Sequence, residues 1–193
     1  MLALLIHRLP LPPMPPMLRC CPIDHLERRF HSRGEVVREV TAGDHVEAGV
    51  TPTSSSFDAT TVGVGSVLCD PSRPVALAKR FEVQLRALSA RLLKGQPFEL
   101  YCHTCSCAAV LRKIVGAVDG KTGARMTDAR PPRSLLPGSM AIVQLELERA
   151  IPVELHSACR HLGRIVLRDG GETVAAGLVT SVKPYRGHTS ERG

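Results

Sequence analysis

Between Ala76 and Lys183 the chain repeats one device: a short run in which apolar and polar residues alternate, followed by turn formers. Phe81, Val83 and Leu85 alternate with Glu82, Gln84 and Arg86. Phe98, Leu100 and Cys102 alternate with Glu99, Tyr101 and His103. Ala141, Val143, Leu145 and Leu147 alternate with Ile142, Gln144, Glu146 and Glu148, and Ile165 and Leu167 alternate with Arg164, Val166 and Arg168. Period two places successive side chains on opposite faces, one buried and one wet, as an antiparallel sheet or small barrel requires. In the last run the same rule assigns Val174, Ala176, Leu178 and Val182 to one face. Asp119-Gly120-Lys121-Thr122-Gly123 and Asp169-Gly170-Gly171-Glu172 both suit the positive φ of tight hairpins. Short strands at this spacing argue an all-β sandwich or barrel. One stretch competes with that reading. Leu85, Leu88, Leu92 and Leu93 fall at i, i+3, i+7 and i+8, so 80–94 reads equally well as an amphipathic helix.

The residues before this region differ. Pro10 to Pro16 holds five prolines in seven positions, which forbids helix and favours an extended chain. Residues 1–33 are expected to be a disordered leader, or a cleavable organelle signal, since no acid precedes Asp24. Glu35–Val40 and His45–Val50 are strand candidates, Thr51–Ser56 a loop, and Pro71–Pro74 a linker. The 193 residues are 44% apolar and 22% charged, which excludes a disordered chain. With no Trp, four Phe and two Tyr, the core must be aliphatic. No apolar run approaches the roughly 18 residues of a helical membrane span, so a soluble chain is expected. The net charge is +7, and twenty of the 25 basic residues are Arg, which makes anionic partners plausible without naming a function. Seven cysteines, an odd number with no export signal before them, predict a reducing compartment and no disulfide framework.

Cys102-His103-Thr104-Cys105-Ser106-Cys107 contains a C-x-x-C. Zinc takes four ligands, and no second such pair or H-x₃-H exists. Regular alternation would also send Cys102 and Cys105 to opposite faces, so small thiols packed in a strand are the expectation. Gly116 to Thr122 imitates a P-loop but has one residue too few between its first glycine and Gly-Lys, and it lies in a turn. No Asn-Lys-x-Asp guanine-reading motif and no G-x-S-x-G elbow are present. Glu146 and Glu148 read as a solvated strand face. Gly163 to Gly171 sets Arg164 and Arg168 on one strand face, where a forked cation pair would suit phosphate or carboxylate; an ordinary exposed face is the alternative.

Several separated motifs then share one resemblance. Gly65-Ser66-Val67-Leu68-Cys69-Asp70-Pro71, followed by Phe81-Glu82-Val83-Gln84-Leu85, resembles the junction between the second and third domains of elongation factor Tu-like and eukaryotic elongation factor 1-alpha-like translational GTPases. Ala42-Gly43-Asp44-His45-Val46, Gly95-Gln96-Pro97-Phe98, Tyr101-Cys102-His103-Thr104, Gly163 to Asp169 and Thr173 to Val179 resemble further segments of that family in the same order. Within it, 141–152 and 175–180 are most similar to the Hbs-type ribosome-rescue GTPase, with the peptide-release GTPase and the aminoacyl-tRNA carrier close behind.

The resemblance implies a six-stranded antiparallel Greek-key barrel, the family's third domain, at 75–185. It implies a partial second β-barrel and linker at 34–74 and a tail at 186–193. It implies strand and turn, not helix, over 80–94. It implies no catalysis, metal or cofactor in this chain; GTP belongs to the family's absent GTPase domain. The barrel would bind the cargo delivered to the ribosome, a Pelota-like or release-factor-like tRNA-shaped protein or an aminoacyl-tRNA, in the cytoplasm and away from membranes. Arg164, Arg168 and Asp169 match the strand that faces the cargo, and Thr104 matches a position on the neighbouring strand. With the GTPase domain and the early second-domain strands missing, the chain is expected to be a fragment, a truncated gene model or an orphaned barrel. A general basic RNA-binding barrel and a Cys-cluster zinc or redox protein are the competing readings.

Overall fold

The computed structural model describes residues 3–4, 29–32, 34–37, 39, 44, 46–49, 63–69, 74–120, 122–123, 126 and 131–184. The chain divides into two compact units, Met1–Val75 and Ala76–Gly193. No helix occurs among the described residues.

In the first unit, β1 (Ala3–Leu4) pairs in parallel with β5 (Val67–Leu68). β2 (Arg29–Ser32) is the centre of an antiparallel three-stranded sheet between β3 (Glu35–Val37) and β4 (Glu47–Gly49). β2 lies within the span that the sequence assigned to a disordered leader, because its residues supply the middle strand that β3 and β4 both need for pairing. Pro10–Pro16 and Thr51–Ser56 lie outside the described residues. Cys69 is disulfide-bonded, which corrects the expectation of wholly reduced cysteines.

The second unit is a closed barrel. Its six long strands are β6 (Leu77–Ala87), β8 (Pro97–Cys102), β9 (Cys105–Val118), β11 (Met140–Pro152), β12 (Arg164–Asp169) and β13 (Glu172–Lys183), ordered β11-β6-β13-β12-β8-β9 around the wall and antiparallel at each interface. Hairpins join β8 to β9 and β12 to β13, while β6 to β8 and β11 to β12 skip across the wall, a Greek-key pattern. Closure leaves no barrel strand with an unpaired edge. Inward residues from all six strands make one aliphatic core that includes Phe81, Val83, Leu85, Leu100, Leu111, Leu145 and Leu167. β7 (Leu92–Leu93) and β10 (Ser134–Leu135) form a short ribbon that adds Leu92 and Leu135 to that core.

The helical stripe over 80–94 does not form. β6 has a partner on each side, β11 and β13, so its backbone groups are satisfied by ladders and tertiary pairing overrides local propensity. The stripe is divided accordingly: Leu85 and Leu92 are fully buried, and Leu88 and Leu93 are exposed. The 119–123 turn is not a tight hairpin. It opens the longer β9–β11 connection, where Gly123 N donates to Asp119 O at 2.8 Å and the chain runs on through β10. Asp169 to Glu172 is the expected two-residue hairpin, with φ of 56° at Gly170 and 88° at Gly171. The face assigned to the last run is half wrong. Val174 is buried and Val182 packs against the core, but Ala176 and Leu178 point outward and Val179 inward. A bulge at Val174, where the register passes from Leu167↔Ala175 to Arg168↔Thr173, reverses the parity from Ala175 to Val179.

Candidate functional site

β12 lies between β8 and β13, so its outward side chains are flanked on both sides. Ile165 and Leu167 are buried, as their alternation predicts, and Arg164, Val166 and Arg168 face out. Register sets the rows on this wall. Val166 is opposite Tyr101 on one side and Ala176 on the other; Arg168 is opposite Glu99 and Thr173; Arg164 is opposite Leu178. The wall therefore presents an apolar row, Tyr101-Val166-Ala176, with an exposed Leu178 beside it and an arginine on either side of Val166.

The two arginines do not form one fork. Four residues of strand separate them by about 13 Å. Arg168 is held in place: its guanidinium carbon lies 5.6 Å from the Tyr101 ring centroid, and Nη2 donates to the Gly171 carbonyl. Its Nε is buried without a hydrogen-bond partner. Tyr101 Oη donates to Glu99 Oε2 at 3.2 Å, and Asp169 Oδ2 accepts from Gln96 Nε2 at 3.0 Å. Asp169 thus fixes the mouth of the β8 strand to the β12–β13 hairpin. Arg164 at the other end is exposed and makes no side-chain hydrogen bond or ion pair among the described residues.

Thr104 is not on a strand. With His103 it forms the two-residue turn that closes β8 onto β9, and His103 takes the positive φ of 54° that the turn demands. Thr104 Oγ1 lies 3.4 Å from His103 Nδ1, and the His103 ring meets His161 edge-on at 6.1 Å. This turn lies beyond the Val166↔Tyr101 pair, at the Arg164 end of β12, whereas Arg168 and Asp169 occupy the opposite end. The four expected residues thus share one wall in two groups. Tyr101, Gln96 and Leu178 complete that wall. The sequence carried no signal for them, because cross-strand register alone makes them neighbours of β12.

The same turn corrects the cysteine assignment. Cys102 and Cys105 are register partners, and both point inward, because the two-residue turn reverses the chain between them. Cys102 Sγ donates to Leu162 O at 3.5 Å. Burial, reinforced by the neighbouring thiols Cys105, Cys107 and Cys159, pushes the Cys102 thiol up to about 12. Burial also raises Cys107 to about 11. Thiols held protonated in this way are poor nucleophiles and poor ligands. Among the described residues no group of three or more His, Cys, Asp or Glu side chains is placed to hold a metal ion.

Comparison with known proteins bears on the whole of this barrel. A family model described as GTP-eEF1A C-terminal domain-like matches residues 80–180. Protein HBS1 of Drosophila melanogaster is 32% identical over 146 residues, which cover 75% of this chain and 21% of that protein. Elongation factor 1-alpha of Cenarchaeum symbiosum (strain A) is 33% identical over 120 residues, covering 61% of this chain and 27% of that protein. The crystal structure of sup35 complexed with GDP aligns with a TM-score of 0.71 at 28% identity, covering 83% of this chain and 38% of that one. The chain thus spans roughly a fifth to two fifths of the length of these relatives.

Proposed function

This chain belongs to the GTP-eEF1A C-terminal domain-like family, and on that footing we propose that it is a cargo- and ribosome-binding part of a translational GTPase acting in the cytoplasm, with no GTP hydrolysis of its own. No described helix is long and apolar enough to cross a membrane. The cargo is a tRNA-shaped protein of the Pelota or release-factor kind. It docks on the β12 wall, with the Tyr101-Val166-Ala176 row at its centre, Arg164, Arg168 and Asp169 on the rim and Thr104 at one margin.

The observation that carries this reading is the composition of that wall. An apolar row flanked by two arginines, one of them stacked on Tyr101, has the apolar centre and charged rim of a protein interface. A surface that grips only nucleic-acid backbone has no use for the outward Val166, Ala176 and Leu178.

The test is the affinity of the 193-residue chain for a Pelota-like protein, measured by calorimetry for the wild type, Arg164→Ala and Arg168→Ala. Each variant should weaken binding by about 1–3 kcal/mol, about 5- to 150-fold. Unchanged affinity in both removes the assigned surface. Binding to aminoacyl-tRNA alone, with a steep salt dependence, reassigns the wall to RNA cargo.

A further inference from the structure

The strand diametrically across the barrel from β12 is β11, because three strand-to-strand steps separate them in either direction around the wall. At Glu146 the outward side chains of this opposite wall form a band across four strands. Glu146 of β11 is the register partner of Arg80 on β6, and Arg80 is in turn the partner of Lys183 on β13. From the other side Arg112 of β9 reaches the same carboxylate. At the ordinary strand spacing the band is about 14 Å wide.

The contacts at Glu146 are specific. Arg80 donates Nε at 2.9 Å and Nη2 at 2.6 Å, both to Oε1, and Arg112 Nε lies 2.5 Å from Oε2. The hydrogen bond from Arg80, with the charges of Arg112 and Lys79 nearby, holds the Glu146 carboxyl below the usual range, so it stays ionised. The arginine side chains are 56% and 55% exposed, against 22% for Glu146. One carboxylate thus lies under two guanidiniums and orients them, while their other N–H groups point to solvent. Lys113, exposed on β9, stands opposite Gln144 one row along. The band carries Lys79, Arg80, Arg112, Lys113 and Lys183 against Glu146 and Glu82; Glu148 lies farther along β11 beside Arg149.

We propose that this wall is a second binding surface, distinct from the β12 wall, and that it takes the phosphate backbone of double-stranded RNA. The chemistry selects that partner. Guanidiniums held by a shared carboxylate offer their remaining donors to phosphate oxygens already partly ordered. Among the described residues the wall presents no outward aromatic: Phe81 is buried in the core and Tyr101 belongs to the β12 wall. Stacking of single-stranded bases therefore has no platform among those residues. Recognition of duplex RNA rests on shape and phosphate contacts and needs none.

The experiment is fluorescence anisotropy of the full chain with a labelled RNA duplex of about 20 base pairs, enough to span two minor grooves, titrated at several salt concentrations. The double variant Arg80→Ala, Arg112→Ala should bind about tenfold more weakly, with the logarithmic salt slope reduced by about 1 for each phosphate that is no longer neutralised. Lys113→Glu, which breaks no ion pair of the fold, should weaken binding in the same direction and guards against a double variant that fails to fold. Arg164→Ala, Arg168→Ala should bind the duplex as the wild type does. Wild-type affinity in both the Lys113 variant and the folded double variant overturns the proposal. So does an equal loss in the β12 variants, which would place RNA on the β12 wall instead. The cargo assay reads the β12 wall with a protein ligand, so either proposal can fail alone.

Discussion

Gly163 is fixed by its surroundings. A Cβ there would lie 2.3 Å from His156 Cα, 2.5 Å from His156 N and 2.9 Å from Cys159 O, all backbone atoms that cannot swing aside. The approach is close because the 153–163 segment is stitched to β13: His156 N donates to Val179 O, Val179 N to Gly163 O, and Gly163 N to Cys159 O. Gly163 immediately precedes Arg164, so the same constraint sets where β12 begins. Gly163→Ala should destabilise the barrel by about 1–3 kcal/mol or more in urea unfolding. Gly120→Ala, with nothing within 4 Å of the added carbon, is the control and should be neutral within about 0.5 kcal/mol. Equal midpoints for the two would show that the segment simply moves away. Thr104 illustrates the other side of residue-scale reading. Its place in the chain is easily aligned, yet only the hairpin shows that it is a turn residue whose margin of the wall is shared with Arg164.

Among the elements, β13 departs most from its sequence pattern. Alternation treats Leu178 as inward and Val179 as outward, but Leu178 is 38% exposed and Val179 is 2% exposed. Two register shifts, at Val174 and again between Val179 and Ser181, account for it. Each adds one residue to β13 without adding one to its partner, and the second restores the original parity so that Val182 packs inward. The consequence is measurable. Leu178→Ala should change stability by less than about 0.5 kcal/mol, while Val179→Ala should cost about 1.5–3 kcal/mol. The reverse order would restore the simple alternating strand. Because Leu178 lies opposite Arg164, its outward position is also what gives the β12 wall its apolar content.

For the molecule as a whole, closure of the barrel couples the strands through one core, so a buried or partly buried group packed in or against it affects global stability. Cys102 and Cys107 make this visible through pH. Their thiols stand at about 12 and about 11 in the fold, against 9.0 for the ordinary thiol. Both are raised, so their contribution is fully present below pH 9.0, where thiols are protonated in folded and unfolded chain alike. It is lost as pH rises toward 11 and 12, because the unfolded chain releases those protons first. The urea midpoint of the wild type should therefore fall between pH 8 and pH 10.5 more steeply than that of Cys102→Ala, Cys107→Ala, about two pH units being enough to expose the difference. Parallel declines would show that other groups control the alkaline limit. The same closure separates Glu146 from Arg164 by the full width of the barrel, which is why the two walls can be tested one at a time.

Much of the barrel was legible in the chain. Phe81, Val83 and Leu85, Ala141 to Leu147, and Ile165 with Leu167 alternate without interruption, and each is buried where alternation puts it. The Gly170-Gly171 hairpin was legible too, since a pair of glycines meets the need for two positive φ values. The positions that local pattern left open or misplaced depend on a partner. Residues 80–94 suited helix or strand equally until β11 and β13 supplied hydrogen bonds on both sides. Cys102 and Cys105 changed faces at a turn, and Ala176 and Leu178 changed faces at a bulge. The sequence by itself determined an all-β chain with an aliphatic core and an arginine-bearing strand, because period two and turn chemistry are local properties of a polypeptide. Only the tertiary structure decided which side chains share a wall: Tyr101 under Arg168, Leu178 beside Arg164, Arg80 and Arg112 over Glu146. Those neighbours are set by register between strands far apart in the chain, Arg80 and Glu146 being 66 residues apart, and register comes from bulges, closure and core packing acting together.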